Sequence, residues 1–271
     1  MTEGLMRLLS RGGGMNTTIL TYHAVDSCPR NSDPHNLFVS PHTFERQIAY
    51  LSRTACITSL EAAVTGTARA HPAVAITFDD AYSNILQHAV PVLERYGAPA
   101  TIFLATAAIG ASFQWDGVST CDHSVMNEDE LEEAMGRGMS IESHGHGHID
   151  MSKATYEAVV DDLIASKEAI TSITGLRPRY LAYPWGRHTE AARRAAADTG
   201  FQAAFGVDAP TAGRFALGRV LVTPLDGQTV FAVKASGFYL ALRWSRLPRA
   251  VYPVVAPLVR AAIERRAARV R

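Results

Sequence analysis

Residues 73–80 read AVAITFDD, an apolar and largely β-branched run that ends in two aspartates. A continuous apolar run of this length is typical of a strand that is buried on both faces. We therefore predict a strand over Ala73–Phe78, followed directly by Asp79 and Asp80. Side chains alternate along an extended chain, so one carboxylate could hold a metal ion while its neighbour faces a substrate. The simpler alternative is that one aspartate caps the following helix.

Strand and helix patterns alternate on both sides of this run. Further strands are predicted at 18–22, 100–104, 139–142, 180–183 and 202–205, and helices at 41–53, 83–96, from 127 onward, at 154–173 and at 189–199. This alternation predicts an α/β fold with a parallel sheet, in which functional residues gather at the carboxyl ends of the strands. A closed barrel and an open doubly wound sheet both fit the pattern.

The segment SHGHGHID at residues 143–150 follows one of these strands. His144 and His148 are four residues apart, and a tight loop could bring both onto one ion. Gly145 and Gly147 make a regular helix improbable. On an extended strand, His144, His146 and His148 would instead share one face as three zinc ligands. A solvated, histidine-rich loop without a metal is the third interpretation.

Residues 183–186 read YPWG, again directly after a predicted strand. Pro184 and Gly186 restrict the backbone around Trp185 and could turn a main-chain N–H outward. An ordinary strand-to-helix turn with an aromatic plug is the alternative.

Three motifs occur together: TFDD at 77–80, SHxxxH at 143–148 and YPWG at 183–186. In their order and spacing the chain resembles the polysaccharide deacetylase family (carbohydrate esterase family 4, with the nodulation-type chitooligosaccharide deacetylase domain) over about residues 17–225. The resemblance implies a distorted (β/α)7 barrel with one divalent metal ion. It implies that Asp80, His144 and His148 are the metal ligands and that Asp79 is the catalytic base. Trp185 stands where the family usually has a tyrosine whose backbone N–H helps to form the oxyanion hole.

The chain departs from the family pattern at two places. Ala182 stands where the family usually has an arginine that pairs with the base, and no histidine follows His188 to serve as the late general acid. His23 resembles the early histidine of family members with a shifted motif order, so we predict it as the acid. Arg219 is the candidate for the missing positive charge. The residues predicted to bind substrate or the oxyanion are Tyr183, Pro184, Trp185, Trp115 and Arg219.

This set of residues suits amide hydrolysis. An Asp-His-His site leaves positions open, and a zinc ion there lowers the pKa of bound water to about 7 and polarises a carbonyl. Cobalt, nickel or iron would suit the same ligands. We predict a metal-dependent hydrolase that removes acetyl groups from an N-acetylated glycan. The alternatives are a small-molecule amide hydrolase on the same scaffold and a non-catalytic glycan-binding protein.

The composition excludes several other classes. Hydrophobic residues make up 47% and charged residues 19% of the 271 residues, so global disorder is excluded. A net charge of zero argues against a nucleic-acid partner. The three cysteines (Cys28, Cys56 and Cys121) are far apart, so we expect neither a disulfide scaffold nor a cysteine-ligated zinc site. No stretch approaches the roughly 20 apolar residues of a membrane span, and the first residues do not read as a secretory signal, which predicts a cytoplasmic location.

The end of the chain is strongly basic. From residue 232 onward there are nine Lys or Arg residues and one acid, mixed with aromatic and aliphatic residues. This composition favours an amphipathic segment that contacts an anionic membrane surface from one side, with a helix packed on the barrel as the alternative. The predicted organisation is a tail at 1–16, a barrel at 17–231 and a basic helical extension at 232–271.

Overall fold

The computed structural model describes residues 17–68, 72–112, 121, 124–209, 211–237, 239 and 240. The strands in this part of the chain are β1 Thr17–Tyr22, β2 Ala24–Val25, β3 Phe38–Val39, β4 Cys56–Thr58, β5 Ala73–Phe78, β6 Ala100–Leu104, β7 Met139–Ser143, β8 Tyr180–Ala182, β9 Ala203–Val207 and β10 Leu217–Leu221. The helices are α1 Pro41–Thr54, α2 Leu60–Thr65, α3 Val90–Arg95, α4 Glu128–Gly136, α5 Tyr156–Thr174, α6 Glu190–Asp198 and α7 Gln228–Ala235. A π-helical turn lies at Ile85–Ala89, and short 3₁₀ helices lie at Arg30–Ser32, Thr106–Ala108 and Pro184–Gly186.

Seven parallel strands close into a barrel. In the order β1, β10, β9, β8, β7, β6, β5, each strand pairs with the next, and β5 pairs back with β1. The closing pair is in register from Thr17 opposite Ala73 to Tyr22 opposite Phe78. The short β4 adds to the first half of β5 as an eighth strand. The predicted (β/α)7 barrel is confirmed and the open sheet is wrong, because an open sheet would leave β1 and β5 unpaired with each other.

The core follows the alternation of side chains along the strands. One buried cluster takes residues from six of the barrel strands: Ile19, Ala75, Phe103, Tyr180, Phe205 and Leu217. Their neighbours Leu20 and Ile76 belong to a larger cluster that includes Phe44 and Ile48 of α1. The strands are therefore buried on both faces, which is why they appear in the sequence as continuous apolar runs.

Most of the predicted elements are confirmed within a residue or two, and one helix is not. The helix predicted at 83–96 begins as the π-helical turn and continues as the short α3. Pro91 lies at the start of α3. Because it has no N–H to donate, the regular series of helical hydrogen bonds cannot continue through this position. The strand β10 was not predicted, because Arg219 interrupts its apolar pattern.

A disulfide joins Cys28 to Cys121, with the two Cα atoms 6.1 Å apart. The wide spacing of the cysteines predicts no disulfide scaffold and gives no sign of this single cross-link. The two cysteines are 93 residues apart in sequence, so their proximity is a product of the fold. Cys56 is a free thiol.

The barrel continues past the predicted boundary at residue 232. Helix α7 crosses this position, and Ala232 and Val233 are buried. The predicted basic extension otherwise lies outside the described residues from 241 onward. No helix in the part of the chain that the structure describes has the length and hydropathy needed to cross a bilayer.

Candidate active site

Polar residues from four strand ends meet at one edge of the barrel. The residues that follow β1, β5, β7 and β8 are His23, the pair Asp79 and Asp80, His144 and the Pro184–Gly186 turn. The barrel strands are parallel, so their carboxyl ends share one edge. The residues predicted from sequence to form the site are thus on the same side of the molecule.

Asp80, His144 and His148 converge on one point. The Asp80 Oδ1 atom lies 3.5 Å from His144 Nε2 and 3.4 Å from His148 Nε2. One ligand atom from each of these three buried residues lies within 4.8 Å of the other two. Carboxylate and imidazole donors in this number suit a divalent transition metal and leave coordination positions open. The group therefore fits a divalent metal ion.

Both imidazoles are held in the neutral form that a metal ligand requires. Burial lowers the pKa of His144 and the pKa of His148 below the usual histidine value. The Nδ1 atom of His144 lies 2.8 Å from the backbone oxygen of Ala182. Nδ1 therefore donates to that oxygen, and Nε2 keeps the lone pair that faces Asp80.

Two of the three candidate ligands have a strained backbone. The φ angle is 68° at Asp80 and 49° at His148, in the left-handed region that residues other than glycine rarely adopt. Such conformations cost on the order of 1–3 kcal/mol each and persist when the surrounding structure imposes them. The geometry of the ligand group is therefore set by contacts elsewhere in the fold.

His146 does not join the ligand group. Its Nδ1 atom lies 2.8 Å from Thr106 Oγ1. β7 ends at Ser143 and Gly145 has a φ of 79°, so the chain turns before His146 and the alternation of a strand is lost. The alternative with His144, His146 and His148 as three zinc ligands on one strand face is therefore wrong.

Arg219 of β10 forms a bidentate ion pair with Asp79. The distances are 2.6 Å from Nη1 to Oδ1 and 2.8 Å from Nη2 to Oδ2. Burial by itself would raise the pKa of Asp79, but the positive charge and hydrogen bonds of Arg219 lower it well below the usual value. Asp79 is therefore ionised at neutral pH.

His23 lies at the end of β1, near enough to Asp79 and His144 for their charges to affect its pKa. Burial lowers the pKa of His23 to about 4, against the opposing effect of the Asp79 charge. Its Nδ1 atom is buried and has no hydrogen-bond partner among the described residues. His23 is therefore neutral at pH 7 and has a ring nitrogen that none of the described residues binds.

The turn after β8 brings Trp185 over the ligand group. Trp185 has a φ of 60°, and its ring centroid lies 5.2 Å from that of His148. The hydrogen bonds of the turn come from the N–H groups of Gly186 and Arg187, and the Trp185 N–H takes no part in them. Gly186 is required here, because a Cβ at its φ of 67° would lie 2.8 Å from the backbone nitrogen of Val207.

The family model for polysaccharide deacetylase matches residues 67–204, slightly more than half of the chain. The chain belongs to the polysaccharide deacetylase family. This agrees with the resemblance seen in the three sequence motifs. The family consists of N-deacetylases that act on glycans, so the protein is an enzyme of the hydrolase class.

Relatives of this deacetylase include YxkH of Bacillus subtilis (strain 168), which is 30% identical over 215 residues, 76% of this chain and 71% of YxkH. The poly-beta-1,6-N-acetyl-D-glucosamine N-deacetylase of Staphylococcus epidermidis is 31% identical over 163 residues, 55% of this chain and 54% of that enzyme. The structure of the Streptococcus pyogenes deacetylase PplD in complex with acetate matches with a TM-score of 0.68 at 21% identity, over 81% of this chain and 97% of PplD. The structural match shows that the two proteins share a fold.

In this deacetylase the positive charge beside Asp79 comes from a different strand than in the usual family pattern. Ala182 occupies the usual arginine position, and its backbone oxygen binds His144 instead. Arg219 reaches Asp79 from β10 and is completely buried. The prediction that Arg219 supplies the missing charge agrees with this geometry, whereas its prediction as a substrate-binding residue is wrong because no part of it is accessible.

The remaining predicted substrate contacts divide by exposure. Tyr183 is buried and donates from its hydroxyl to the backbone oxygen of Phe215 at 3.0 Å, so it packs the turn rather than facing substrate. Pro184 is also buried and shapes the same turn. Trp185 is exposed by 44% and faces solvent at the site. Trp115 lies outside the described residues.

Proposed function

We propose that this deacetylase hydrolyses the N-acetyl groups of a poly-N-acetylglucosamine chain, with one divalent metal ion bound by Asp80, His144 and His148. The observation that carries the proposal is the position of Asp79, an ionised carboxylate that directly precedes one ligand and is held by Arg219. A base beside a three-ligand metal site is what amide hydrolysis needs.

An acetamide is a poor electrophile and water is a poor nucleophile near neutral pH. A divalent ion at these three side chains, for which zinc is our first choice, supplies the Lewis acidity that polarises the acetamide carbonyl and acidifies water to a pKa of about 7. Cobalt, nickel and iron suit the same donors, and availability in the cell selects among them.

Asp79 accepts the proton of the attacking water. The ion pair with Arg219 makes it a weak base, which is sufficient when the water is acidified and the carboxylate is fixed in position. Arg219 also donates to the hydroxyls of Thr21 in β1 and Thr77 in β5, so its guanidinium is held by both strands. The arginine therefore orients the base without touching substrate.

His23 is the proposed donor to the departing amine. Its pKa of about 4 makes it neutral in the resting enzyme, so the proton that it passes to the amine is the one that Asp79 takes from the attacking water. Negative charge that develops on the substrate oxygen nearby favours the imidazolium form. The unused ring nitrogen of His23 is available for this transfer.

Trp185 contributes both its backbone and its side chain. Its N–H is left out of the turn hydrogen bonds and can donate to the developing oxyanion. The half-exposed indole, packed beside His148, presents an apolar face on which a pyranose ring can stack. The named activity of the Staphylococcus epidermidis relative supports β-1,6-linked N-acetylglucosamine as the polymer.

Acetate release from β-1,6-linked N-acetylglucosamine oligomers tests this proposal, with β-1,4-linked oligomers as the matched comparison. We expect release that stops when a chelator removes the metal and returns when zinc is added. Acetate or amine release only from small linear or cyclic amides would favour the small-molecule amide hydrolase and overturn the proposal. Oligomer binding by the zinc-loaded protein without any acetate release would favour the glycan-binding alternative.

The cellular location and the membrane contact remain predictions. The Cys28–Cys121 disulfide favours an oxidising compartment over the cytoplasm, since cytosolic thiols are kept reduced. Thiol counting on protein isolated from its native cells under acid quenching distinguishes the two locations: one free thiol indicates oxidation, and three indicate the cytoplasm. Membrane contact is tested by deleting residues 241–271, which spares α7. Unchanged partitioning of the shortened protein to anionic vesicles would contradict the contact.

A further inference from the structure

Asp162 of α5 binds the loop that connects the two histidine ligands. Its carboxylate accepts the backbone N–H of His146 at 2.9 Å on Oδ2 and the N–H of Gly147 at 2.7 Å on Oδ1. The sequence motifs do not include Asp162, and it touches neither ligand ring. It binds instead two of the four peptide groups between His144 and His148.

The glycines of the loop allow the carboxylate to approach this closely. A Cβ on Gly145 would lie 2.6 Å from Asp162 Oδ2, closer than real Cβ atoms come to an oxygen. A Cβ on Gly147 would lie 3.3 Å from Asp162 Oδ1. The HGHGH pattern is therefore matched to Asp162: glycine stands at the two positions where a side chain would displace the carboxylate.

The other side of the loop is bound by the 3₁₀ helix after β6. The N–H of Thr106 donates to the oxygen of Gly145 at 3.2 Å, and the N–H of Ala107 donates to the oxygen of His146 at 3.0 Å. Asp162 and this helix thus bind the same two peptide groups, 145–146 and 146–147, at opposite edges: Asp162 binds their N–H groups and the helix binds their C=O groups. These contacts fix the loop backbone directly before His148, which has the strained φ of 49°.

We propose that Asp162 is a positioning residue of the metal site, which fixes the ligand loop so that His144 and His148 face one ion. This inference rests on the proposed metal site but not on the proposed substrate. Partners that orient metal ligands from outside the coordination sphere typically contribute 10–100-fold in affinity. Asp162 acts through the backbone, so its loss lets the loop, and with it His148, leave the geometry that the ion needs.

Zinc affinity of the Asp162→Asn variant tests the inference. Asparagine keeps the shape and one acceptor oxygen but replaces the second acceptor with a donor that opposes the loop N–H. We expect zinc to bind about 10–100-fold more weakly, measured by competition with a chromophoric chelator at fixed pH. Asp161→Asn is the matched control, because Asp161 is the exposed neighbour on the same helix and the charge change is identical. Its zinc affinity should equal that of the wild type.

A second variant perturbs the same contact without removing the charge. Gly147→Ala pushes the carboxylate away by a few tenths of an ångström, and we expect a smaller loss of zinc affinity with little change in the melting temperature of the metal-free protein. Wild-type zinc affinity in Asp162→Asn, or an equal loss in Asp161→Asn, would overturn the inference. If Asp162→Asn does not fold, unchanged affinity in Gly147→Ala is the overturning result. Neither measurement uses a glycan, so a wrong substrate would leave both unaffected.

Discussion

Asp79, directly after β5, and Glu142, in β7, are both buried carboxylates, exposed by 1% and 5%. Asp79 is paired with the guanidinium of Arg219. Among the described residues, Glu142 hydrogen-bonds only to peptide groups: its Oε2 accepts from the N–H of Arg179 at 2.7 Å and from the N–H of Tyr180 at 2.8 Å. The pKa of Asp79 is lowered, whereas burial raises the pKa of Glu142 to about 7 despite these two donors.

The difference shows what decides the charge of a buried carboxylate in this fold. Burial favours the neutral acid in both places, and only a full positive charge in contact reverses that preference. Asp79, the proposed base, has such a partner. Glu142 has a structural role. β7 and β8 share a single residue pair in register, Ser143 opposite Leu181. Glu142 supplies a further hydrogen-bond acceptor between these two strands, where few backbone pairs form.

The largest effect is expected from Asp79→Asn, which removes the charge that distinguishes Asp79 from Glu142. Without a proton acceptor, turnover should fall by about 10²–10⁴-fold or more. Zinc content should not change, because Asp80, His144 and His148 remain. Acetate release and metal analysis on the same sample check both parts.

Asp80→Asn provides the contrast for this test, since it changes the neighbouring carboxylate that is a proposed ligand. It should lose zinc as well as activity. Full turnover in Asp79→Asn would mean that the charged carboxylate held by Arg219 is not the base.

His23→Ala tests the neutral group that faces Asp79. Loss of the proton donor should lower turnover by about 10²–10⁴-fold without loss of zinc. His88→Ala is the control, because His88 is a half-exposed histidine that lies 3.7 Å from Asp26 and does not belong to the ligand group. A reduction of less than a few-fold in His23→Ala would assign the acid role to another group.

Arg219→Gln makes the surroundings of Asp79 resemble those of Glu142. An unpaired buried carboxylate should cost about 3–5 kcal/mol of unfolding free energy at neutral pH. Because its pKa is lowered, the Asp79 carboxylate stabilises the folded wild type at any pH above the usual aspartate pKa. This stabilisation is lost as the pH falls through the lowered pKa, so the difference in unfolding free energy between wild type and variant should narrow in acid. The pKa of Asp79 should rise in the variant, so on acidification its activity should begin to decline at a higher pH than the activity of the wild type.

Arg137→Gln is the matched control, because Arg137 pairs with Glu94 and Glu133 on the surface. Surface pairs contribute about 0–1 kcal/mol, so this variant should unfold nearly as the wild type does. Urea unfolding of the two variants across a pH series makes the comparison. Equal small losses would show that the Asp79–Arg219 pair does not hold the charge of the base.

The sequence predicts the strands that carry His23, Asp79 and His144, because each is a short run buried on both faces. Because parallel strands end at one edge, it also predicts one site there, and the resemblance to the family assigns Asp80, His144 and His148 as its ligands. The partner of Asp79 is harder to find, because Arg219 is 140 residues away and its charge interrupts the apolar pattern of β10.

The choice between His146 and His148 as a ligand shows a second limit of the local pattern. Both histidines have the same spacing to a glycine, and contacts from Thr106 and Asp162, far along the chain, decide which one faces the ion. The pairing of Cys28 with Cys121 has the same cause. Local patterns predict which residues lie at the edge, whereas their mutual orientation depends on packing between distant segments.

Glu142→Gln should produce the smallest effect, and it appears in stability rather than activity. A pKa raised from 4.5 to about 7 stabilises the fold fully below pH 4.5, and this contribution is lost as the pH rises through about 7. Glutamine keeps an oxygen that can accept both N–H groups and does not titrate. Relative to the variant, the wild type should therefore lose at most about 3 kcal/mol of unfolding free energy between pH 5 and pH 8. Glu132→Gln removes the same charge from an exposed position on α4, so its unfolding free energy in urea should follow that of the wild type at each pH. A pH dependence of Glu142→Gln parallel to both would show that Glu142 is ionised throughout, like Asp79.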